Sequence, residues 1–277
     1  MPAWPIGVMQ GRLVPKYLGR YQAHPKGYWV DEFDIAASCG LDLIEFILDF
    51  NDAEENPLLA PGGIDTISRV SARTGVGVRS ICADYFMEAP LHAQDAAAVA
   101  ASQAVLARLL KIAPALGVTD IVIPCVDQSS LKGTDAVDRF VVAIAPALRQ
   151  AEAAGVNLAL ETDLPPARFV PLLDRIGSKR MTVNYDIGNS ASLGFDPNEE
   201  WAAYGDRVTD VHIKDRIRGG GSVPLGTGDA DVPGVLALMA RHGFDGPVIM
   251  QAFRDDEGVA IFTRQLADVR TWMGAVS

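Results

Sequence analysis

Three observations in the sequence predict a closed (β/α)8 barrel. A helical pattern that ends at a glycine and is followed by a short apolar run occurs seven times along the 277 residues. Those runs are apolar at nearly every position instead of alternating, as strands of a parallel sheet covered on both faces are. No glycine-rich dinucleotide turn follows the first strand, which disfavours an open doubly wound sheet. Length alone admits two domains of ~150 residues or one barrel of ~250. No Pro/Ser-rich linker or charge run divides the chain, so one domain over residues 1–277 is expected.

The first strand is the run Ile6-Gly7-Val8-Met9. Residues 10–28 read as a long polar loop. Tyr17, Tyr21, Tyr28, Trp29 and Phe33 gather in and after it, an aromatic group suited equally to a pocket wall or a subunit contact. Gly40, Gly75, Gly117, Gly155, Gly177, Gly205 and Gly243 are each expected in the left-handed conformation that closes a helix and turns the chain into a strand. The runs after them are LDLIEFI, VGVRSI, VTDIVIP, VNLALE, SKRMTVNYD, DRVTDVHI and FDGPVIM, which with the first make eight strands. Helical patterns fill the intervals, over residues 31–38, 64–74, 96–116, 136–154 and 259–273 among others. Pro114 and Pro146 each sit in an IAPAL phrase and predict kinks or early helix ends, because proline has no N–H and crowds the preceding turn.

The chain is 49% hydrophobic and carries 24 basic against 35 acidic side chains, a formal net charge of -11. Counterion-release binding to nucleic acid needs clustered lysine and arginine, so no nucleic-acid partner is expected. Cys39, Cys82 and Cys125 are odd in number, widely spaced and set among apolar residues. This fits buried thiols in a reducing compartment, and neither a disulfide framework nor a CxxC zinc site. Met1 to Pro5 show no basic region before an apolar run, and no stretch reaches the ~20 apolar residues of a membrane span. A cytoplasmic chain with no membrane partner is the expectation.

Barrel active sites are assembled at the carboxyl ends of the strands. Those ends carry Glu45 on the second strand, Asp84 on the third, Asp127 on the fourth, Glu161 on the fifth, Asp186 on the sixth, His212 with Lys214 on the seventh and Gln251 on the eighth. One terminal carboxylate is read equally well as the cap of the next helix. Glu161, Asp186, His212 and Gln251 differ, because they come from consecutive strands and converge on one point at the barrel mouth. Three oxygen donors and one imidazole form a hard, mixed site suited to Mn²⁺, Mg²⁺, Co²⁺ or Zn²⁺.

Lys214 lies two residues beyond His212, hence on the same side of the strand, as an acid, an anion contact or the partner of a rim carboxylate. Arg12, Arg216, Arg218 and Arg254 fall in loops on the catalytic side. They are expected either to grip a substrate phosphate or carboxylate, or to neutralise rim residues such as Asp210 and Asp215. Gly219-Gly220-Gly221 and Gly226-x-Gly228 read as a lid, as a backbone N–H cradle for phosphate, or as flexible loops. Glu45 and Asn189 are candidate contacts for sugar hydroxyls, or caps.

The phrases YDIGN around Asp186, HIKD at His212 and VIMQAF around Gln251, in the order Glu161, Asp186, His212 and a polar eighth-strand residue, resemble the xylose-isomerase-like barrels. Within them the match is to the sugar phosphate isomerase/epimerase group. GVMQGRL at residues 7–13 and the stretch 212–231 look like the same group, and the resemblance covers essentially the full chain. It implies one divalent metal ion, usually Mn²⁺, Mg²⁺ or Co²⁺, holding two adjacent oxygens of a polyol or keto sugar. It also implies an acid/base pair of glutamates on the fifth and eighth strands, and an assembly that is often a homodimer or homotetramer.

This sequence keeps Glu161 and has Gln251 in place of the second glutamate. An amide can ligate a metal through its carbonyl oxygen but cannot exchange a proton near neutral pH. The ligand set then carries two negative charges, which balance a divalent ion. The expected chemistry is proton abstraction by Glu161 next to a metal-held carbonyl, with Lys214 or a water returning the proton, in a metal-dependent isomerase or epimerase of a monosaccharide or its phosphate. Loss of a hydroxyl instead would make it a keto-polyol dehydratase. A phosphodiesterase would want several metal ions, a richer set of histidines and a basic groove, against four histidines and a charge of -11. The remaining alternative is a non-catalytic sugar-binding barrel, with Gln251 in its favour.

Overall fold

The computed structural model describes residues 4–276, so Met1, Pro2 and Ala3 of the opening segment lie outside the described residues. Ten strands form among the described residues: β1 Ile6–Met9, β2 Leu43–Ile47, β3 Ser80–Cys82, β4 Asp120–Cys125, β5 Asn157–Thr162, β6 Met181–Asp186, β7 Val208–Ile213, β8 Asp215–Arg216, β9 Ser222–Val223 and β10 Val248–Met250. Eight of them close a barrel in the order β1-β10-β7-β6-β5-β4-β3-β2, and β8 and β9 form a separate hairpin. The barrel pairs are parallel, as near-continuous apolar runs require. The glycine-to-strand rhythm therefore found seven of the eight barrel strands, and the opening run Ile6–Met9 is the eighth. β3 and β10 are shorter than their runs. Pro247 has no N–H for the ladder, which begins only at Val248.

The helices are α1 Trp29–Ser38, α2 Gly63–Thr74, α3 Tyr85–Glu88, α4 Ala96–Leu116, α5 Thr134–Ala154, α6 Pro166–Ile176, α7 Ile187–Leu193, α8 Pro197–Tyr204, α9 Val232–Arg241 and α10 Val259–Ala275. The expectation of early helix ends at Pro114 and Pro146 is corrected, since α4 and α5 run through both. Pro114 stands in the last turn before Gly117, and Pro146 is flanked by the buried Ile144, Ala147 and Leu148, whose packing outweighs one missing hydrogen bond. Six of the seven helix-ending glycines have φ between 66° and 78°. Gly205 is the exception, at φ -54°. There a Cβ would stand 2.9 Å from Trp201 Cε3 and 3.4 Å from His242 Nδ1, so close packing and not handedness demands glycine.

Two compact units make up the chain. One comprises residues 1–45, 74–76 and 184–277, the other residues 46–73 and 77–183. In the first, the Trp4 indole N–H donates to Phe244 O at 2.7 Å, and Arg270 on α10 donates to the carbonyls of Cys39 and Gly40 at 2.9 and 2.7 Å, capping α1. In the second, Arg139 on α5 donates to His92 O at 2.7 Å and Arg108 on α4 pairs with Glu54 at 2.6 Å. Helix α4 is the one helix among the described residues long and apolar enough to cross a membrane by length and composition. One of its faces, with Val105, Leu106, Leu109, Leu110 and Ala113, is buried in the protein. Cys82 and Cys125 are buried and Cys39 half-buried, all as thiols.

Candidate active site

Asp186 ends β6 and caps α7, its Oδ1 accepting the Asn189 N–H at 2.8 Å. That leaves Oδ2, which accepts from Lys214 Nζ at 3.2 Å and lies 3.9 Å from His212 Nδ1. Lys214 and His212 thus reach the same carboxylate, as residues two apart at a strand end should. His212 is fully buried, and its Nε2 lies 2.8 Å from Glu45 Oε1. A carboxylate only accepts, so Nε2 carries the proton and Nδ1 keeps its lone pair. The Asn184 amide nitrogen, 3.1 Å from Nδ1, agrees with that tautomer.

Glu161, penultimate in β5, completes the group. One ligand atom each from Glu161, Asp186 and His212 lies within 4.8 Å of the others, and all three residues are buried. Such a group could bind a metal ion. Gln251 directly follows β10, whose Met250 is paired with Ile213. Its amide nitrogen donates to Gln22 Oε1 at 3.0 Å, while its carbonyl oxygen is buried with no hydrogen-bond partner among the described residues. Buried acceptors are normally satisfied, and an orphaned one suits a site built for a cation. Asp84 and Asp127 do not join the group. Asp84 accepts from the Cys82 thiol at 3.2 Å, and Asp127 lies in an exposed turn at φ 49°.

Several candidate substrate contacts are placed elsewhere. Glu45 is fully buried, with its Oε1 against the His212 ring. Arg254 is 3% exposed and its guanidinium donates to the carbonyls of Gly11, Val14 (2.8 Å), Asp255 (3.0 Å) and Asp256 (3.1 Å), a clamp on the first loop in place of an open anion contact. Arg12 is also buried. It lies over the Tyr21 ring, 4.9 Å from its centroid, and donates to Tyr21 O at 2.8 Å and Gln22 Oε1 at 2.9 Å. The first loop is therefore a packed element and not merely a polar excursion.

Arg216 and Asn189 stay beside the cluster. Asn189 Oδ1 accepts from Lys214 at 3.2 Å and from Arg216 at 2.8 Å, while Arg216 also donates to Gly220 O at 2.7 Å. Arg218 donates its main-chain N–H to Asp229 at 2.6 Å. Gly219 to Gly221 turn the β8-β9 hairpin, with Gly219 N–H donating to Ser192 O and Gly220 N–H to Ile217 O. The second glycine pair does form a nest of N–H groups, but its anion is internal. Gly226 and Gly228 N–H both donate to Asp215 Oδ2 at 2.9 Å, and Ala230 N–H to Oδ1 at 3.0 Å. The Asp215 carboxylate thus takes the place expected for phosphate, and it is held by amides and not by a rim arginine.

Glu32 on α1 was not singled out by the sequence reading. It accepts the N–H of Gly11 at 2.8 Å and of Leu13 at 3.0 Å, pinning GVMQGRL from below. Burial pushes its carboxyl up to about 7, against the pull of those N–H groups and of Arg254 and Arg12. A signal existed, because Glu32 shares the face of α1 carried by the buried Trp29, Phe33 and Ala36. Glu200 was missed as well. It accepts from the hydroxyls of Tyr185 and Tyr204 at 2.8 Å, and from Ser190, beneath the strand end that carries Asp186.

A closed parallel barrel with a buried O/N donor group at its strand ends is the architecture of a barrel enzyme. Residues 33–273 match the family of xylose isomerase-like TIM barrels, and the chain belongs to that family. It is 30% identical over 236 residues to 2-epi-5-epi-valiolone 7-phosphate 2-epimerase of Actinoplanes sp., covering 82% of this chain and 84% of the relative. It is 26% identical over 274 residues to L-ribulose-5-phosphate 3-epimerase UlaE of Salmonella paratyphi C, covering 93% and 94%. The fold is shared with a xylose isomerase-like TIM barrel protein from Mycobacterium smegmatis, solved in complex with magnesium, at a TM-score of 0.74 and 18% identity over 99% of this chain and 98% of that one. The chain is an enzyme of the isomerase and epimerase type.

Proposed function

We propose that the protein is a divalent-metal-dependent epimerase of a phosphorylated keto sugar or closely related polyol ketone. The observation that carries this reading is the buried Glu161, Asp186 and His212 group, with the orphaned carbonyl oxygen of Gln251 at the neighbouring strand end. Glu161, Asp186, His212 and Gln251 would hold the ion, with two negative charges against its two positive ones. Bound there, Mn²⁺, Mg²⁺, Co²⁺ or Zn²⁺ would acidify the carbon beside the substrate carbonyl by drawing electron density toward itself. Glu161 removes the proton from that carbon. Lys214 is held by Asp186 and Asn189 at 3.2 Å from each and returns a proton, because the Gln251 amide cannot. Asn189 and Arg216 present an amide and a guanidinium to the substrate's hydroxyl and phosphate groups. The two relatives named above, both epimerases acting on phosphates, support the substrate class.

A keto-polyol dehydratase is the second reading, and the same amide favours it. With one base lost from the eighth strand, expulsion of a hydroxyl after the first proton transfer needs only Glu161 and one acid. The protein is further proposed to act as a single-domain, cytoplasmic homodimer or homotetramer without nucleic-acid or membrane partners. Elemental analysis of protein purified without added metal tests the core of the reading, beside a Glu161→Gln, His212→Ala double variant. About one equivalent of metal in the parent and none in the variant is expected. Absence of metal from the parent, together with no affinity when metal is supplied, would overturn it.

A further inference from the structure

We infer that Arg12 and Gln22 act as positioning residues that set the amide of Gln251, so that its carbonyl oxygen and not its nitrogen is offered to the metal site. The inference rests on the metal reading above. A guanidinium only donates hydrogen bonds. Arg12 is fixed over the Tyr21 ring and by its bond to Tyr21 O, so the Gln22 atom 2.9 Å from its Nη2 must be an oxygen. That same oxygen lies 3.0 Å from the Gln251 side chain. Two carbonyl oxygens cannot share a hydrogen bond, so Gln251 must turn its NH₂ toward Gln22.

The consequence is geometric. With its nitrogen committed to Gln22, Gln251 has its carbonyl oxygen on the other side of the amide, where it is buried and without a hydrogen-bond partner among the described residues. Gln251 itself is only 4% exposed, so water does not satisfy that oxygen freely. The arrangement also explains why an arginine of the first loop is buried and turned inward. Arg12 serves the ligand set through Gln22, and a glutamate at position 251 would place a carboxylate oxygen against the Gln22 oxygen. The amide is therefore a constructed neutral donor and not a decayed acid/base residue.

Calorimetric titration with Mn²⁺ tests this in five proteins: parent, Gln22→Leu, Gln22→Glu, Gln251→Leu and the Gln22→Leu/Gln251→Leu double variant. Gln22→Leu is expected to weaken Mn²⁺ binding by about tenfold, the lower end of what loss of a ligand-orienting group costs. Gln22→Glu is expected to keep affinity within about twofold of the parent, because its carboxylate accepts from both Arg12 and Gln251. In the Gln251→Leu background, Gln22→Leu should add nothing, since its effect runs through the missing amide. Equal losses in both backgrounds, no loss at all, or a Gln22→Glu loss matching Gln22→Leu would overturn the inference. A parent that binds no Mn²⁺ would instead defeat the metal reading. The amide orientation is then judged on the metal-free protein by the side-chain NH₂ resonances of Gln251, which must move in Gln22→Leu and hold in Gln22→Glu. Resonances unmoved in Gln22→Leu would overturn it.

Discussion

Glu45 Oε1 and His212 Nε2 face each other across 2.8 Å with neither side chain exposed. The pair fixes the imidazole tautomer from behind and leaves Nδ1 toward Asp186. Loss of such an orienting carboxylate typically lowers metal affinity by about 10–100-fold. Glu45→Leu is expected to weaken Mn²⁺ binding within that range, and Glu45→Gln to weaken it less, because an amide oxygen still accepts the Nε2 proton. Calorimetry checks both, and unchanged affinity in Glu45→Leu would contradict the role.

Lys214 is held by Asp186 and Asn189 and is assigned the return of the proton. Lys214→Met should lower kcat on the substrate by roughly 10²–10⁴-fold, the usual contribution of a general acid, with Mn²⁺ affinity retained. Steady-state kinetics at saturating metal decide the point. A kcat within about threefold of the parent would remove Lys214 from the mechanism.

Arg216 and Arg254 looked alike in sequence and should separate cleanly in experiment. Arg254 bridges four main-chain carbonyls, and hydrogen bonds with one charged partner contribute about 1.5–3 kcal/mol each. Arg254→Met is therefore expected to lower the unfolding free energy by about 3 kcal/mol or more, read from urea denaturation. Arg216→Met should leave stability nearly unchanged and raise KM for a phosphorylated sugar more than for its unphosphorylated counterpart.

Glu32 predicts a pH dependence of stability. Its carboxyl is raised from 4.5 to about 7 in the folded state. Between those values the folded protein holds a proton that the unfolded chain has lost, so this group's stabilisation is full below 4.5 and is lost as pH rises through about 7. His24 runs the other way, lowered from 6.5 to about 4 by burial and by Lys26, with stability lost as pH falls. The difference between parent and Glu32→Gln isolates the first term. The parent's advantage in Tm should shrink from pH 4.5 to pH 7, and a difference that grows over that range would refute the assignment.

Eight strands and the Glu161, Asp186 and His212 group were legible because both follow from local regularity. A left-handed glycine and an apolar run mark a strand wherever they recur, and a strand's last polar residues must project at the barrel rim. What could not be read was the partner of each charge. Arg254 finds carbonyls of residues some 240 positions earlier, and Asp215 meets amides 11 to 15 residues on. Both partnerships exist only after loops close, which no spacing rule anticipates. Gly205 shows the same limit in miniature, since Trp201 and not a turn requires it.

Proton abstraction by Glu161 at a carbon beside a carbonyl is read from exchange of that proton with solvent. The Mn²⁺-loaded protein is incubated in D₂O with L-ribulose 5-phosphate and other keto-sugar phosphates, and the carbon-bound proton is followed by NMR. Deuterium is expected to enter next to the carbonyl of one substrate with the parent, and none with Glu161→Gln. Unaltered exchange in Glu161→Gln, or a metal-loaded parent that exchanges no proton on any of these sugars, would contradict it.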